Sequence, residues 1–385
     1  MQYSLTEEQL MLKDMIGRLA REKIAPGAAE RDEKGEFAAD MAELLQENGL
    51  FAADFPKEYG GEEMGLLSLC LIIEEVAKAC ASTSLILAVH ELGTMPIFLA
   101  GNKEQKDKYF PKLATGEYLA AFGLTEPNAG SDVSALTTKA VRDGDTYVLN
   151  GRKIFISHGD VAQVVCVAAK TNLEVPGPKG ISLFIVEKGT PGFIIGKHEN
   201  KMGIRGSSTV EIILEEVRVP KGNLLGQEGL GFTILMKTLD FTRIPVAAQA
   251  LGIAQGALDY AINYTKERVQ FGKPVFANQG IQWMIAEMAA KLEAARQLTY
   301  KAAALYQTFP KNLDRLPAEA VRYSAMCKML AADTAMSVTT DCVQLLGGYG
   351  FIKEYPVERM MRDAKITQIY EGTSQVQKMV IASTL

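Results

Sequence analysis

The stretch "YVLNGRKIFIS", residues 147–157, decides the fold. Its β-branched and aromatic residues read as a strand, and the glycines, prolines, asparagines and aspartates around it read as turns. Further runs share this grammar: "VVCVAAK" (164–170), "ISLFIVEKG" (181–189), "GFIIGK" (192–197) and "TVEIILEEVRVP" (209–220). Together they predict an antiparallel sandwich or barrel that begins near residue 120 and closes near Gly222.

The chain on either side is written differently. "SLTEEQLMLKDMIGRLAREKIAP" places Leu10, Ile16, Leu19 and Ile24 at helical spacing, with Ser4 and Thr6 ahead of Glu7 and Glu8 as an N-cap and Pro26 as the stop. Similar stretches follow at about 38–48, 67–79, 83–92 and 103–115, with a loop at "FPKEYGGEEMG". Long apolar-periodic spans return at 228–270, 279–309, 316–347 and 354–363, broken at Pro310 and at Leu316-Pro317. The predicted fold is therefore α+β. A helical N-terminal domain (1–118) precedes a middle antiparallel β domain (119–226) and a C-terminal four-helix bundle (227–385).

Composition bounds the function. The 385 residues are 48% hydrophobic and 23% charged, ordinary for a globular protein. A net charge of -5 argues against nucleic acid as a partner. No membrane span is expected, because the most apolar stretch, around Leu69 to Ile73, runs straight into Glu74 and Glu75. "MQYSLTEEQL" lacks the basic and apolar regions of a secretory signal. The five cysteines are odd in number and lack a C-x-x-C pair, and only three histidines are present. The reading is a reduced, cytoplasmic protein without a metal centre.

Two stretches invite chemistry. "GLTEPNAGSD" (123–132) offers Thr125, Glu126, Asn128, Ser131 and Asp132 beside two glycines, either as a solvated turn or as a loop presenting N–H groups and hydroxyls to a flat or anionic ligand. In "AKITQIYEGTSQVQ" (364–377) a carboxylate, Glu371, ends an apolar run next to Gly372, Thr373 and Ser374. Thr373 or Ser374 can cap a short helix "SQVQKMVIAS", and desolvation would make Glu371 a base near neutral pH. On its residues alone Glu371 reads as a surface carboxylate or a general base. The glycines of "GQEGLGF" (226–232) do not follow a strand as a dinucleotide fingerprint should.

The chain resembles the acyl-CoA dehydrogenases along nearly its whole length. "AFGLTEPNAGSD" (121–132) and "QLLGGYGFIKEYPVERMMRDAKITQIYEGTSQ" (344–375) carry most of the resemblance, with "ERVQFGKP" (267–274) and "KIFIS" (153–157) in the family's order. The resemblance implies FAD held by Phe122, Leu124, Thr125, Gly130 and Ser131, with Phe155, Ile156 and Ser157 beside the ring. Many relatives have tryptophan where this chain has Phe155. Arg268, Gln270, Phe271 and Gln279, with Gln344, Leu345, Gly347 and Gly348, would hold the pyrophosphate and adenine of a neighbouring subunit's cofactor. Thr373, Ser374 and Gln375 would reach the cofactor as well. A dimer is then the minimum unit and a homotetramer of paired dimers the expected form. Glu371 matches the base that takes the α-proton of an acyl thioester while the β-hydrogen leaves as hydride. Some relatives keep that base on an earlier helix, where this chain has Thr242.

The same resemblance places Ser131, Asp240, Arg243 and Gly372 against acyl-CoA, and Ala88, Val89 and Leu92 along the acyl pocket. Glu91 is unusual there. At about 100° per residue, Leu92 falls near 40° and Glu91 near 300° from Ala88, while His90 falls near 200°, on the far side. Glu91 then either pairs with a cation or reaches solvent, or offers a second carboxylate to a polar, branched or cyclic acyl group. Electrons are expected to pass to an electron-transferring flavoprotein. Two other readings share the motifs: a flavin oxidase using O₂, and a non-catalytic CoA-binding helical protein.

Overall fold

The computed structural model describes residues 4–175, 177–309 and 315–385; the break read at Pro310 lies outside the described residues. Helices come first: α1 (Glu7–Leu19), α2 (Ala28–Lys34), α3 (Ala39–Glu47), α4 (Gly65–Ala79), α5 (Ala81–Ala100) and α6 (Lys103–Ala114). Thr6 is the N-cap of α1. Its hydroxyl accepts from the Gln9 N–H at 3.2 Å and the Gln9 side chain accepts from the Thr6 N–H at 3.1 Å, a closed capping box.

Helix α5 runs well past residue 92, through Gly93 and Pro96, where sequence alone stops it. The reason is tertiary. A Cβ on Gly93 would lie 2.6 Å from the Ala120 carbonyl carbon and the Ala121 nitrogen, so only glycine lets α5 lie this close to the first strand. By length and mean hydropathy α5 could cross a membrane, but 78% of its apolar window is buried inside the protein.

The middle layer holds β1 (Ala120–Gly123), β2 (Lys139–Asp143), β3 (Thr146–Ser157), β4 (Val164–Lys170), β5 (Ile181–Glu187), β6 (Phe193–His198), β7 (Thr209–Pro220) and β8 (Leu224–Leu225). The strand order is β6-β7-β3-β2-β4-β5-β8, with β1 joined to β4. Most pairs are antiparallel, as read from sequence. However, β1 runs parallel to β4 from Ala120↔Val164 to Gly123↔Val167, and β2 touches β4 in parallel at Lys139↔Lys170. The β2–β3 hairpin intervenes between β1 and β4, so the chain returns in the same direction, which local patterning does not reveal.

The last layer is α7 (Gly231–Glu267), a short ribbon β9 (Val269–Gln270) and β10 (Lys273–Pro274), then α8 (Gln279–Tyr306), α9 (Ala318–Leu346), α10 (Pro356–Thr367) and α11 (Ser374–Ser383). The helical, sheet, helical order expected from sequence is the observed order.

Helix α7 is the spine, and α5 lies along it in the opposite direction. At one end the Gln249 amide donates to the Ser84 hydroxyl and the Ala81 carbonyl, both at 3.1 Å. At the other end Gly226 sits between Ala100 and Ile234.

Candidate active site

The peptide between α10 and α11 reverses sharply. Glu371 has φ +51° and Gly372 φ +91°, two successive residues in the left-handed region. Glycine takes that conformation freely; glutamate is held in it. Three side chains do the holding. Thr373 caps α11, its hydroxyl accepting from the Val376 N–H at 3.1 Å. The Gln377 amide donates to the carbonyls of Glu371 at 3.1 Å and Gly372 at 3.0 Å. Buried Lys328, from α9, donates from Nζ to the Gly372 carbonyl at 2.7 Å.

The carboxylate of Glu371 points to α7, where the Thr242 hydroxyl donates to Oε2 at 2.7 Å. Burial pushes the Glu371 carboxyl up to about 7, against the Thr242 hydrogen bond and the charges of Lys328 and Arg243. A surface glutamate would not show this. Burial also pulls the Lys328 ammonium down to about 8, with the Glu371 charge opposing. The neighbouring Tyr370 hydroxyl donates to Gln249, so α5, α7 and the reversal share one hydrogen-bonded link.

Asp240 and Arg243 are buried and paired, Nη1 to Oδ1 at 2.6 Å. Burial raises the Asp240 carboxyl to about 6 against the pull of Arg243. Arg243 Nε is buried with no hydrogen-bond partner among the described residues, a donor that a ligand carbonyl or phosphate could satisfy.

The loop after β1 is fixed from behind. Lys153 and Glu126 are both buried, with Nζ 2.8 Å from Oε1. Lys153 also donates to the Leu124 carbonyl at 3.1 Å. Glu126 accepts from the Thr137 N–H at 2.6 Å, the Thr137 hydroxyl at 2.7 Å and the Thr138 N–H at 3.0 Å. Burial alone would raise the Glu126 carboxyl, but Lys153 and these donors win and hold it at about 2. With Glu126 facing inward, Gly130 and Ser131 stay exposed at the loop tip. Two residues along β3 from Lys153, Phe155 takes φ +58° and stays 60% exposed, an aromatic ring offered outward beside half-buried Ser157.

A separate open cleft of about 430 Å³ lies beyond the far end of α7. Arg268, Gln270, Gln344, Leu345, Gly347 and Gly348 all line it. The Arg268 guanidinium stacks over the Tyr349 ring at 5.1 Å, and Gly347 at φ +60° leaves its backbone open. Guanidinium, aromatic face, amides and bare backbone suit a nucleotide diphosphate. Phe271 is fully exposed and Gln279, the first residue of α8, is exposed, so this whole edge faces outward.

On α5, Ala88 and Glu91 are 3% and 5% exposed and Leu92 is partly buried. The solvent-facing reading of Glu91 is therefore incorrect: α5 packs between two apolar clusters and leaves it almost no surface in water. His90 does turn the other way, edge-on to Phe51 with ring centroids 5.0 Å apart. Glu91 stands seven residues past Ser84, and Thr242 seven before Gln249. In antiparallel helices of equal rise this sets Glu91 level with Thr242, the partner of Glu371. Among the described residues no group of three or more His, Cys, Asp or Glu could hold a metal ion.

The comparisons with known proteins decide the family. Models of the acyl-CoA dehydrogenase N-terminal, middle and C-terminal domains match residues 6–117, 121–217 and 229–385. The chain belongs to the acyl-CoA dehydrogenase family.

Members of this family are FAD-dependent flavoproteins. A cyclohex-1-ene-1-carbonyl-CoA dehydrogenase of Geobacter metallireducens is 51% identical, over 99% of this chain and 98% of its own. The butyryl-CoA dehydrogenase of Megasphaera elsdenii superposes with a TM-score of 0.94 at 46% identity, over 100% of this chain and 99% of its own. A chain from the structure described as the electron transferring flavoprotein of Acidaminococcus fermentans gives a TM-score of 0.95 at 48% identity, over 99% of this chain and 98% of its own.

Sequence reasoning named Glu371 and most of the cleft. It missed Lys328, Gln377 and the role of Lys153, and saw in Thr242 only the absence of a second base. One signal for Lys328 was available. It lies on the same helical face as Ala331, Ala332 and Ala335, all fully buried, so a charge there asks for a partner.

Proposed function

We propose that this chain removes the elements of hydrogen across the α and β carbons of an acyl-CoA thioester. Glu371 is the base, and electrons pass to an electron-transferring flavoprotein. One observation carries the reading: a half-buried carboxylate, pushed up to about 7, sits on a strained reversal with Oε2 accepting from the Thr242 hydroxyl. Glu371 accepts the α-proton on its carboxylate. Its backbone N–H, presented by the reversal, polarises the thioester carbonyl. Gly372, without a side chain, leaves room for the thioester. Phe122, Leu124, Thr125, Gly130, Ser131, Phe155, Ile156, Ser157, Thr373 and Gln375 line the flavin, and Asp240 and Arg243 meet the CoA portion. When bound, the flavin supplies the hydride acceptor.

The nucleotide cleft at Arg268 lies about 39 Å along α7 from Thr242. One dinucleotide cannot serve both places in a single chain. We therefore assign the cleft of each subunit to the flavin of its neighbour, in a dimer that pairs into a tetramer. Five buried, unpaired cysteines fit a reducing, cytoplasmic setting. The acceptor assignment is supported by the Acidaminococcus likeness and by the exposed Phe155 edge.

For the acyl group we infer a short substrate that is cyclic, branched or polar. Glu91, level with Thr242 on the neighbouring helix, sets a second carboxylate beside the acyl pocket. The relative acting on cyclohex-1-ene-1-carbonyl-CoA supports the same choice. The experiment compares wild type and Glu91→Ala on butyryl-, octanoyl-, cyclohexanecarbonyl-, cyclohex-1-ene-1-carbonyl- and glutaryl-CoA. A loss confined to one ring or dicarboxylic ester is expected, and equal rates across the panel overturn the substrate assignment. Turnover with O₂ but none with electron-transferring flavoprotein would turn the reading to an oxidase.

A further inference from the structure

We propose that Lys328 is a positioning residue for the Glu371 base: its ammonium pins the Gly372 carbonyl and supplies the positive charge against which the Glu371 carboxylate stands. The inference rests on Glu371 being the base. Lys328 has no solvent-exposed surface, and its Nζ meets the Gly372 carbonyl at 2.7 Å, 44 residues away in sequence. A buried ammonium is expensive unless it is paired. Of the groups around it, Asp333 is already engaged, accepting from Gln368 at 2.6 Å and Ser374 at 2.9 Å. The backbone of the reversal is what remains for the ammonium to hold.

That backbone needs holding. Glu371 in the left-handed region costs strain, and it persists there only when its surroundings over-determine it. The Gly372 carbonyl takes two donors, Lys328 and Gln377, and Gln377 also holds the Glu371 carbonyl, so the reversal cannot rotate without breaking these bonds. Gln377 alone would supply the geometry; a charge is not required for that. The charge matters to the carboxylate. Glu371 is faced by Thr242 and Arg243 from α7, by Lys328 from α9 and by Tyr370 beside it, with Asp363 on α10 close to Tyr370. Arg243 is committed to Asp240 at 2.6 Å, which leaves Lys328 as the cation not neutralised by an ion pair of its own. Without it, burial acts on Glu371 opposed only by the Thr242 hydrogen bond and the charge of Arg243.

The test separates charge from shape. Lys328→Gln keeps an N–H donor for the Gly372 carbonyl but carries no charge; Lys328→Met removes both. Two quantities are followed with pH: the flavin reduction rate in stopped flow, and the protonated carboxyl band of Glu371 in the infrared, with Glu371→Gln as the blank. The infrared titration needs no turnover. Both variants are expected to move the Glu371 midpoint up by about one unit, a tenfold slower reduction at pH 6 that closes at high pH. Lys328→Met also loses about tenfold in the high-pH plateau, where position alone counts. An unmoved infrared midpoint in Lys328→Gln overturns the proposal, because a merely structural lysine lowers rates equally at every pH. If Glu371 is not the base, the sign is different: Glu371→Gln itself reduces flavin at the wild-type rate.

Discussion

Lys153 and Glu126 form an ion pair of 2.8 Å in which neither side chain reaches water. Lys153 stands on the strand that offers Phe155, and Glu126 on the loop that offers Gly130 and Ser131. The pair therefore sets the spacing of the two surfaces proposed to face the flavin. Lys153→Met should cost about 3–5 kcal/mol, because it strands a buried carboxylate, and should weaken FAD binding in parallel. Adding Glu126→Gln should recover part of the loss, since the two sites share one interaction. Urea unfolding and flavin fluorescence measure both. The carboxyl of Glu126 sits at about 2, below its ordinary value of 4.5, so its contribution is present above pH 4.5 and lost as pH falls towards 2.

Glu371→Gln should slow flavin reduction by roughly 10²–10⁴ while FAD remains bound. The wild-type rate should rise with pH through about 7, where the base ionises. Stability should move the other way. The carboxyl of Glu371 is raised from 4.5 to about 7, so the native state holds its proton more tightly than the unfolded chain. Wild type therefore loses stability as pH climbs through that window. Glu371→Gln carries no such penalty and should melt higher than wild type at pH 8, with the gap closing below pH 4.5. Thermal scans at the two pH values check the sign.

Gly372→Ala tests the reversal itself. At φ +91° an alanine is strained, and its Cβ would stand 2.6 Å from the Gln377 amide nitrogen. A cost of about 1–3 kcal/mol is expected, together with displacement of Gln377 from the Gly372 carbonyl. Flavin reduction should fall more than substrate binding, since the peptide bearing the base shifts. Stopped-flow rates against KM separate the two.

The sequence was a good guide wherever the signal is local. Helix periodicity, the strand grammar from Tyr147 onwards and the cap at Thr373 all depend on neighbours a few residues apart. Glu371 and the Arg268 cleft were legible through long family motifs. What escaped is carried by contacts between distant segments. Thr242 meets Glu371 across 129 residues, and Lys153 meets Glu126 across 27. The parallel pairing of β1 with β4 and the passage of α5 through Pro96 are also products of packing, which no window of local sequence contains. Glu91 shows the intermediate case. Its helical angle could be worked out, but its closure from water depends on the apolar clusters to either side.

The length of α7 bears on inheritance. In the dimer proposed above, one subunit's Arg268 serves its neighbour's flavin and each subunit keeps its own Glu371, so a defect in one gene copy would be answered by a different defect in the other. A pair of chains carrying Arg268→Ala and Glu371→Gln separately builds one site with both lesions and one site with neither. A pair in which a single chain carries both lesions beside a normal partner builds no intact site. Two silent chains would thus restore activity in the mixed dimer, while a doubly damaged chain would silence the healthy chain it pairs with. Co-expression of differently tagged chains, with purification of the mixed dimers, would show that asymmetry directly.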